Sequence, residues 1–151
     1  MARANQGVQR YRLVAMMSDL ERLTHRQAIV DLLVSYATAI DTQDWKLLDT
    51  IFLPDADCDY SEAGGFRAPY PKIRAWLEEV LAPMQTQHML TNHVIDVQDG
   101  EATSVTYLQA EHRMFVDGAE TFYTFRGIYR DRLVRSGSEW AIAARALTPM
   151  W

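Results

Sequence analysis

The sequence predicts an α+β fold in which helices cap a curled sheet and leave one internal pocket. Three observations predict it. The first half is helical in pattern and the second half is strand after strand, an order typical of α+β domains. The later strands are separated by short turn signals, which makes them antiparallel neighbours. Three of them exceed the usual five or six residues, and long strands twist and curl, so that a sheet closed by helices encloses a cavity.

The elements follow in order. Ile29, Val30, Leu32, Leu33, Val34, Tyr36, Ala37 and Ile40 recur at helical period. The set is broad, so the helix is expected to be buried on more than one side. Thr24 and Gln27 have capping-box spacing, which predicts a start there, after a short turn opened by Ser18 and Glu21. Residues 44–53 read as a second helix with Trp45, Leu48, Ile51 and Phe52 on its apolar side and Pro54 as its stop. Residues 55–61 alternate, with Asp55, Asp57 and Asp59 facing out and Ala56, Cys58 and Tyr60 facing in. Gly64-Gly65 is a turn. Pro71 opens a third helix through Ile73, Trp76, Leu77, Val80 and Leu81, which stops near Pro83. Strands over 85–97, 102–116, 120–134 and 139–148 complete the chain, joined by Asp99-Gly100, Asp117-Gly118 and Ser136 to Ser138.

Length, composition and charge narrow the function. A chain of 151 residues with 48% hydrophobic and 23% charged residues suits one folded domain. Residues 1–17 carry +3 (Arg3, Arg10 and Arg12, no acid), which leaves −8 on the rest of a chain whose net charge is −5. This stretch lacks the continuous apolar segment of a signal peptide and is expected to be a flexible or partner-docking arm ahead of a domain at 18–151. The acidic balance argues against nucleic acid, which needs clustered Lys and Arg. No apolar run reaches the roughly 18 residues of a membrane helix. Cys58 stands alone, so neither an internal disulfide nor a zinc cluster is expected, and a reducing, cytoplasmic setting is.

Few residues are placed for chemistry. Asp41 falls on or beside the apolar face of the first helix, at its C-terminal end, where burial and the macrodipole both oppose a carboxylate. Either it is paired there, or the helix frays and Asp41 to Asp44 cap the next helix. His25 reads as a surface residue. His93 is five residues from His88 and so is expected on the opposite strand face. His112 shares a face with Leu108, Ala110 and Met114, as a core histidine bonded to backbone or as a pocket group. Tyr60 ends an apolar strand face as an ordinary core tyrosine would. There is no phosphate-binding glycine loop and no G-x-S-x-G elbow. Two histidines and a carboxylate can make an iron site, but no spacing demands one.

Six short segments carry a resemblance. Ile40 to Trp45 (IDTQDW), Thr86 to Leu90 (TQHML), Leu108 to His112 (LQAEH) and Asp57 to Tyr60 (DCDY) resemble scytalone dehydratases. Met17 to Leu23, together with His88 to Asn92 (HMLTN), resembles hexachlorocyclohexane dehydrochlorinases. Both belong to the SnoaL-like branch of the NTF2-like superfamily, and the likeness runs from about residue 17 to the end. It implies an NTF2-like cone, a curved mixed sheet wrapped by helices around one pocket, and no cofactor. It implies His88 as general base, Asp41 as its orienting partner, and His112 and Tyr60 as groups that hold or polarise a substrate oxygen. Tyr36, Met89, Leu90, Asn92, Leu108, Met114, Phe125, Tyr129 and Arg145 are the expected pocket residues. The chain departs from the pattern at several positions. Ile40 stands where scytalone dehydratases have a second tyrosine, Gly127 and Tyr129 where they have a polar pair, and Tyr36 where dehydrochlorinases have a lysine. Arg145 falls near a dehydrochlorinase pocket arginine, yet reads equally as a surface residue.

The function so implied is a lyase of the dehydratase type, or an isomerase, acting on a small cyclic or polyketide-like hydroxy-ketone. Its setting is a homo-oligomer, a trimer before a dimer. The rival is a small-ligand-binding module without chemistry. An open cavity with one free imidazole nitrogen on the dyad separates the two.

Overall fold

The computed structural model describes residues 2–98 and 100–151, with residues 2–17 described by backbone alone. The arm expected over residues 1–17, and Asp99 of the expected turn, lie outside the fully described residues. The chain forms α1 (Ala2–Thr42), α2 (Trp45–Asp49), β1 (Phe52–Asp59), a 3-10 turn (Ser61–Ala63) and β2 (Arg67–Pro69). There follow α3 (Tyr70–Leu81), β3 (Gln85–Val97), β4 (Glu101–Val116), β5 (Ala119–Ser136) and β6 (Glu139–Pro149). The six strands make one curved, unclosed sheet in the order β2-β1-β6-β5-β4-β3. Among the described residues β1 and β6 run parallel and the other pairs antiparallel, so the sheet is mixed. The α+β expectation is borne out.

The helices lie on one face of the sheet. Ile29, Leu33, Tyr36 and Ile40 are spaced by four, three and four residues, fall on one side of α1 and are buried. They share a core with Leu48, Ile73, Leu133 and Ile142. On β4 the even-numbered residues from Ala102 to Ala110 are buried, which identifies the inner face of the sheet.

Several boundaries differ from the sequence reading. α1 does not begin at Thr24, nor after a separate turn at Ser18. The helix passes through both, and the Thr24 hydroxyl donates to the Leu20 carbonyl one turn back at 2.9 Å. The second helix is shorter than residues 44–53. Asp44 caps it by accepting from the Leu47 amide at 3.0 Å, and it ends at Asp49. Phe52 to Pro54 then belong to β1. Pro54 is tolerated there because the β1–β6 ladder is irregular between Phe52 and Asp57. β2, three residues long, was too short to leave a periodic signal.

α1 ends in a left-handed residue, Gln43, at φ 54°. The Asp44 amide donates to the Ala39 carbonyl and the Gln43 amide to that of Ile40, a Schellman closure. Glycine is usual in this position. Here the Gln43 side chain donates to the carbonyls of Leu81 and Met84, so strain at the end of α1 is offset by bonds to the end of α3. Gly127 on β5 is needed for another reason. A Cβ there would lie 2.7 Å from Phe125 Cε1 and 2.9 Å from the Thr148 carbonyl, and the latter is backbone that cannot turn away. Gly127→Ala is therefore expected to destabilise the fold by about 1–3 kcal/mol. A denaturant midpoint equal to that of the parent would contradict this.

Strand β3 contains the irregularity that matters most for the site. Its ladder to β4 shifts between Thr91 and Val94, and Asn92 takes φ 52°. Before the bulge Thr86, His88 and Leu90 are the less exposed residues, and after it His93, Ile95 and Val97 are. His93 thus faces the same side as His88, not the opposite one. Its Nδ1 lies 3.1 Å from the hydroxyl of the buried Thr106. Arg26 of α1 donates to the carbonyls of His93 and Ile95 at 3.2 and 3.4 Å.

Candidate active site

Asp41 stays in the last turn of α1, because Asp44 and not Asp41 caps the next helix. The carboxylate faces β3 and is fully engaged. Oδ1 accepts from the His88 ring at Nδ1 (2.6 Å) and from the Thr86 hydroxyl (2.9 Å), and Oδ2 accepts from the His88 amide (2.8 Å). Burial alone would raise the carboxyl pKa. The bonds from the His88 ring and amide, with that from Thr86, outweigh it and hold the carboxyl below its ordinary value. A depressed folded pKa adds stability above the unfolded value of about 3.9, and that stability is lost as pH falls through the folded value. The drop in denaturant midpoint between pH 6 and pH 3 is accordingly expected to be smaller in Asp41→Asn than in the parent. An equal drop in both proteins would show that Asp41 contributes nothing.

Because a carboxylate only accepts, Nδ1 of His88 carries the proton of the neutral ring. Nε2 is left with no hydrogen-bond partner among the described residues. His88 lines a cavity of about 700 Å³. Its walls include Tyr36, Ile40, Trp76, Leu108, Met114 and Phe125, and the exposed Tyr123 and Trp151 line it too. An open cavity and a free imidazole nitrogen therefore occur together.

His112 lies beside His88, with ring centroids 6.1 Å apart, and also lines the cavity. Its Nδ1 donates to the Tyr123 carbonyl at 3.3 Å. It thus has the backbone bond of a core histidine and the position of a pocket group. Burial, followed by the neighbouring His88, lowers its pKa. The neutral ring offers Nε2 as an acceptor, so His112 is suited to receive a hydroxyl rather than to donate to a carbonyl. Tyr60, just past β1, lines the cavity with its hydroxyl 3.3 Å from that of Tyr36, which in turn is 3.1 Å from that of Tyr129.

The remaining expected residues divide. Tyr36, Leu108, Met114, Phe125 and Tyr129 line the cavity. Met89 does not, since it alternates to the outer face and is 45% exposed. Leu90 packs against the core instead, and Asn92 is taken up by the bulge. Arg145 does not line the cavity of the dyad and is not a surface residue. It is sealed in the core, where Nε and Nη2 donate to Asp131 at 2.7 and 2.8 Å, and both side chains are fully buried. The sequence reading missed Asp131. Its signal was present, because Asp131 shares strand parity with Phe125, Tyr129 and Leu133, an acid on an apolar face. His25 is half-buried rather than on the surface, packed edge-on against Trp140, whose indole N–H points at its Nδ1 at 3.4 Å.

Other chemistries lose ground. Burial pushes the Cys58 thiol up to about 12, so it offers no thiolate. Among the described residues no three His, Cys, Asp or Glu side chains are grouped to hold a metal ion, and no helix is long and apolar enough to cross a membrane.

Residues 21–146 match the SnoaL-like domain. The chain belongs to the SnoaL-like family. This SnoaL-like protein is 36% identical over 134 residues to an uncharacterized protein of Mycobacterium bovis, covering 87% of this chain and 90% of that protein. Among solved structures it is similar to a type 2 hexachlorocyclohexane dehydrochlorinase, with TM-score 0.77 and 21% identity over 88% of this chain and 90% of that one. It is also similar to a candidate scytalone dehydratase of Novosphingobium aromaticivorans, with TM-score 0.75 and 22% identity over 86% and 87% of the two chains. These likenesses show the fold, an NTF2-like α+β cone.

Proposed function

We propose that this SnoaL-like protein is a cofactor-independent lyase of the dehydratase type, or an isomerase, with His88 as general base and Asp41 as its orienting partner. The observation that carries the reading is the pairing of a committed Nδ1 with an unpartnered Nε2 on a ring that lines the cavity. In the reaction Nε2 takes an acidic proton from carbon next to a carbonyl. For dehydration the C–H electron pair becomes the new C=C bond as the C–O bond at the next carbon breaks, and the departing hydroxide takes back from the His88 imidazolium the proton that Nε2 removed and leaves as water. For isomerisation the proton returns to a different carbon. Asp41 fixes the tautomer and stabilises the imidazolium formed on the way. His112 Nε2 is suited to accept from a substrate hydroxyl and hold the substrate in place, not to protonate the group that leaves.

The largely apolar, aromatic walls suit a small cyclic or polyketide-like hydroxy-ketone. The proposed setting is a cytoplasmic homo-oligomer, a trimer before a dimer. The names of the dehydratase and dehydrochlorinase neighbours support elimination chemistry on rings. The test is proton–deuterium exchange, followed by NMR, of cyclic ketones bearing a β-hydroxyl in heavy water. The parent is expected to exchange the carbon-bound proton and His88→Ala is not. Tight binding of such ketones without exchange or turnover would establish the rival, a binding module.

A further inference from the structure

A third side chain is bonded into the dyad. Thr86 stands two residues before His88 on β3, so the two side chains share the inner face of the strand. Its hydroxyl donates to Oδ1 of Asp41 at 2.9 Å, the same oxygen that takes the His88 ring at 2.6 Å. Oδ2 is occupied by the His88 amide at 2.8 Å. His88 lines the cavity, and neither Thr86 nor Asp41 does. Thr86 is therefore out of reach of a ligand there, and its influence on the chemistry passes through Asp41.

Holding the carboxylate is not what the hydroxyl alone supplies. Without it Oδ1 would still have the ring and Oδ2 the amide, so neither oxygen would be left bare. What it changes is how strongly Oδ1 accepts. A donor stabilises the charge of the oxygen that it bonds. The ring N–H shares that oxygen and so meets a weaker acceptor than an unshared one. The imidazolium, a stronger donor than the neutral ring, loses most by the sharing. Thr86 thereby biases His88 toward its neutral form, in which Nε2 is a base. A β-branched residue suits this position, because its restricted χ1 keeps the hydroxyl on its acceptor.

The elements packed against the ring bring two titratable groups to it, Asp41 on α1 and His112 on β4. Burial lowers the His112 pKa, so near neutral pH that ring adds no charge. Glu62, Arg126 and four tyrosines also line the cavity, but among the described residues only Asp41 is hydrogen-bonded to the His88 ring.

We propose that Thr86 is a positioning residue that sets the basicity of His88 through the carboxylate oxygen they share. Its effect on turnover rests on the reading of His88 as a base. Its effect on the ring's own titration does not.

The test compares Thr86→Val, which fills the space and removes the donor, with Thr86→Ser, which keeps the donor. The His88 ring is titrated by NMR in the full-length protein, its signal assigned by its absence from His88→Ala. Thr86→Val is expected to raise the proton affinity of the ring about three- to tenfold, read as a rise of about 0.5–1 pH unit in the midpoint. Thr86→Ser is expected to titrate with the parent. The acid limb of the proton–deuterium exchange profile is expected to move with the ring. A merely structural Thr86 would lower Tm and leave the midpoint in place, which overturns the proposal. A lower midpoint in Thr86→Val overturns it too, as does a Thr86→Ser that titrates like Thr86→Val. Should Thr86→Val fail to fold, Thr86→Ala removes the same donor and is held to the same outcome. A raised midpoint with no exchange in the parent would keep the action of Thr86 on the ring and remove the base. Exchange in the parent with an unmoved midpoint would do the reverse.

Discussion

Replacing His88 with alanine is expected to lower turnover by about 10²–10⁴, the usual contribution of a positioned base. Asp41→Ala should lose a comparable factor. Asp41→Asn should do nearly as badly, although it keeps the shape. In the parent Oδ1 receives the ring N–H and the Thr86 hydroxyl, while Oδ2 receives the His88 amide. An asparagine has one oxygen and one NH2. Whichever way it turns, the NH2 meets a donor, either the backbone amide or the ring. The ring then loses its orientation or its tautomer, as happens when the aspartate of a Ser-His-Asp triad becomes asparagine. The measurement is kcat, with the exchange rate, on the ketone that the parent turns over. Parent-like turnover by His88→Ala would remove the base from the mechanism, and parent-like turnover by Asp41→Asn would remove its orienting role.

Asp131→Ala is expected to destabilise the fold by about 3–5 kcal/mol, because it strands a guanidinium that has no exposed surface. For a domain of this size that is a fall in Tm of about 6–20 °C. Arg145→Met is expected to cost a similar amount by stranding the carboxylate. The double variant Arg145→Met/Asp131→Leu should be more stable than either single one, because it removes both charges from the core. Thermal melts of the three proteins decide it. A double variant less stable than both singles would mean that the ion pair itself, rather than the stranding of its partner, carries the energy.

The strands were legible because alternation is a local property. Ala56, Cys58 and Tyr60 against Asp55, Asp57 and Asp59 announce a half-buried strand without reference to anything else. The third helix was legible from Pro71 and its apolar period. What failed was non-local. Phe52 to Pro54 join β1 because β6 lies alongside, which no helical count of 44–53 can register. The facing of His93 was lost to a single extra residue at Asn92, since a period of two carries no memory of an insertion. Asp41 was undecided until the Asp44 cap left it in α1. The Arg145–Asp131 pair needed two strands read together. Each charge on an apolar face looks like an error alone, and β5 and β6 are in register at that pair.

The bulge at Asn92 has a mechanical consequence. Helix α1 is tied to strand β3 at two rungs, Arg26 to the carbonyls of His93 and Ile95, and Asp41 to Thr86 and His88. The fifteen residues of helix between the rungs span about 22 Å. From His88 to Ile95 the strand takes seven steps, one of them absorbed by the bulge, and so spans about 20 Å. The two members match in length, so neither slides along the other without breaking a rung. Helix and strand behave as a braced beam. The distance from carboxylate to imidazole is set by that frame and not by any loop.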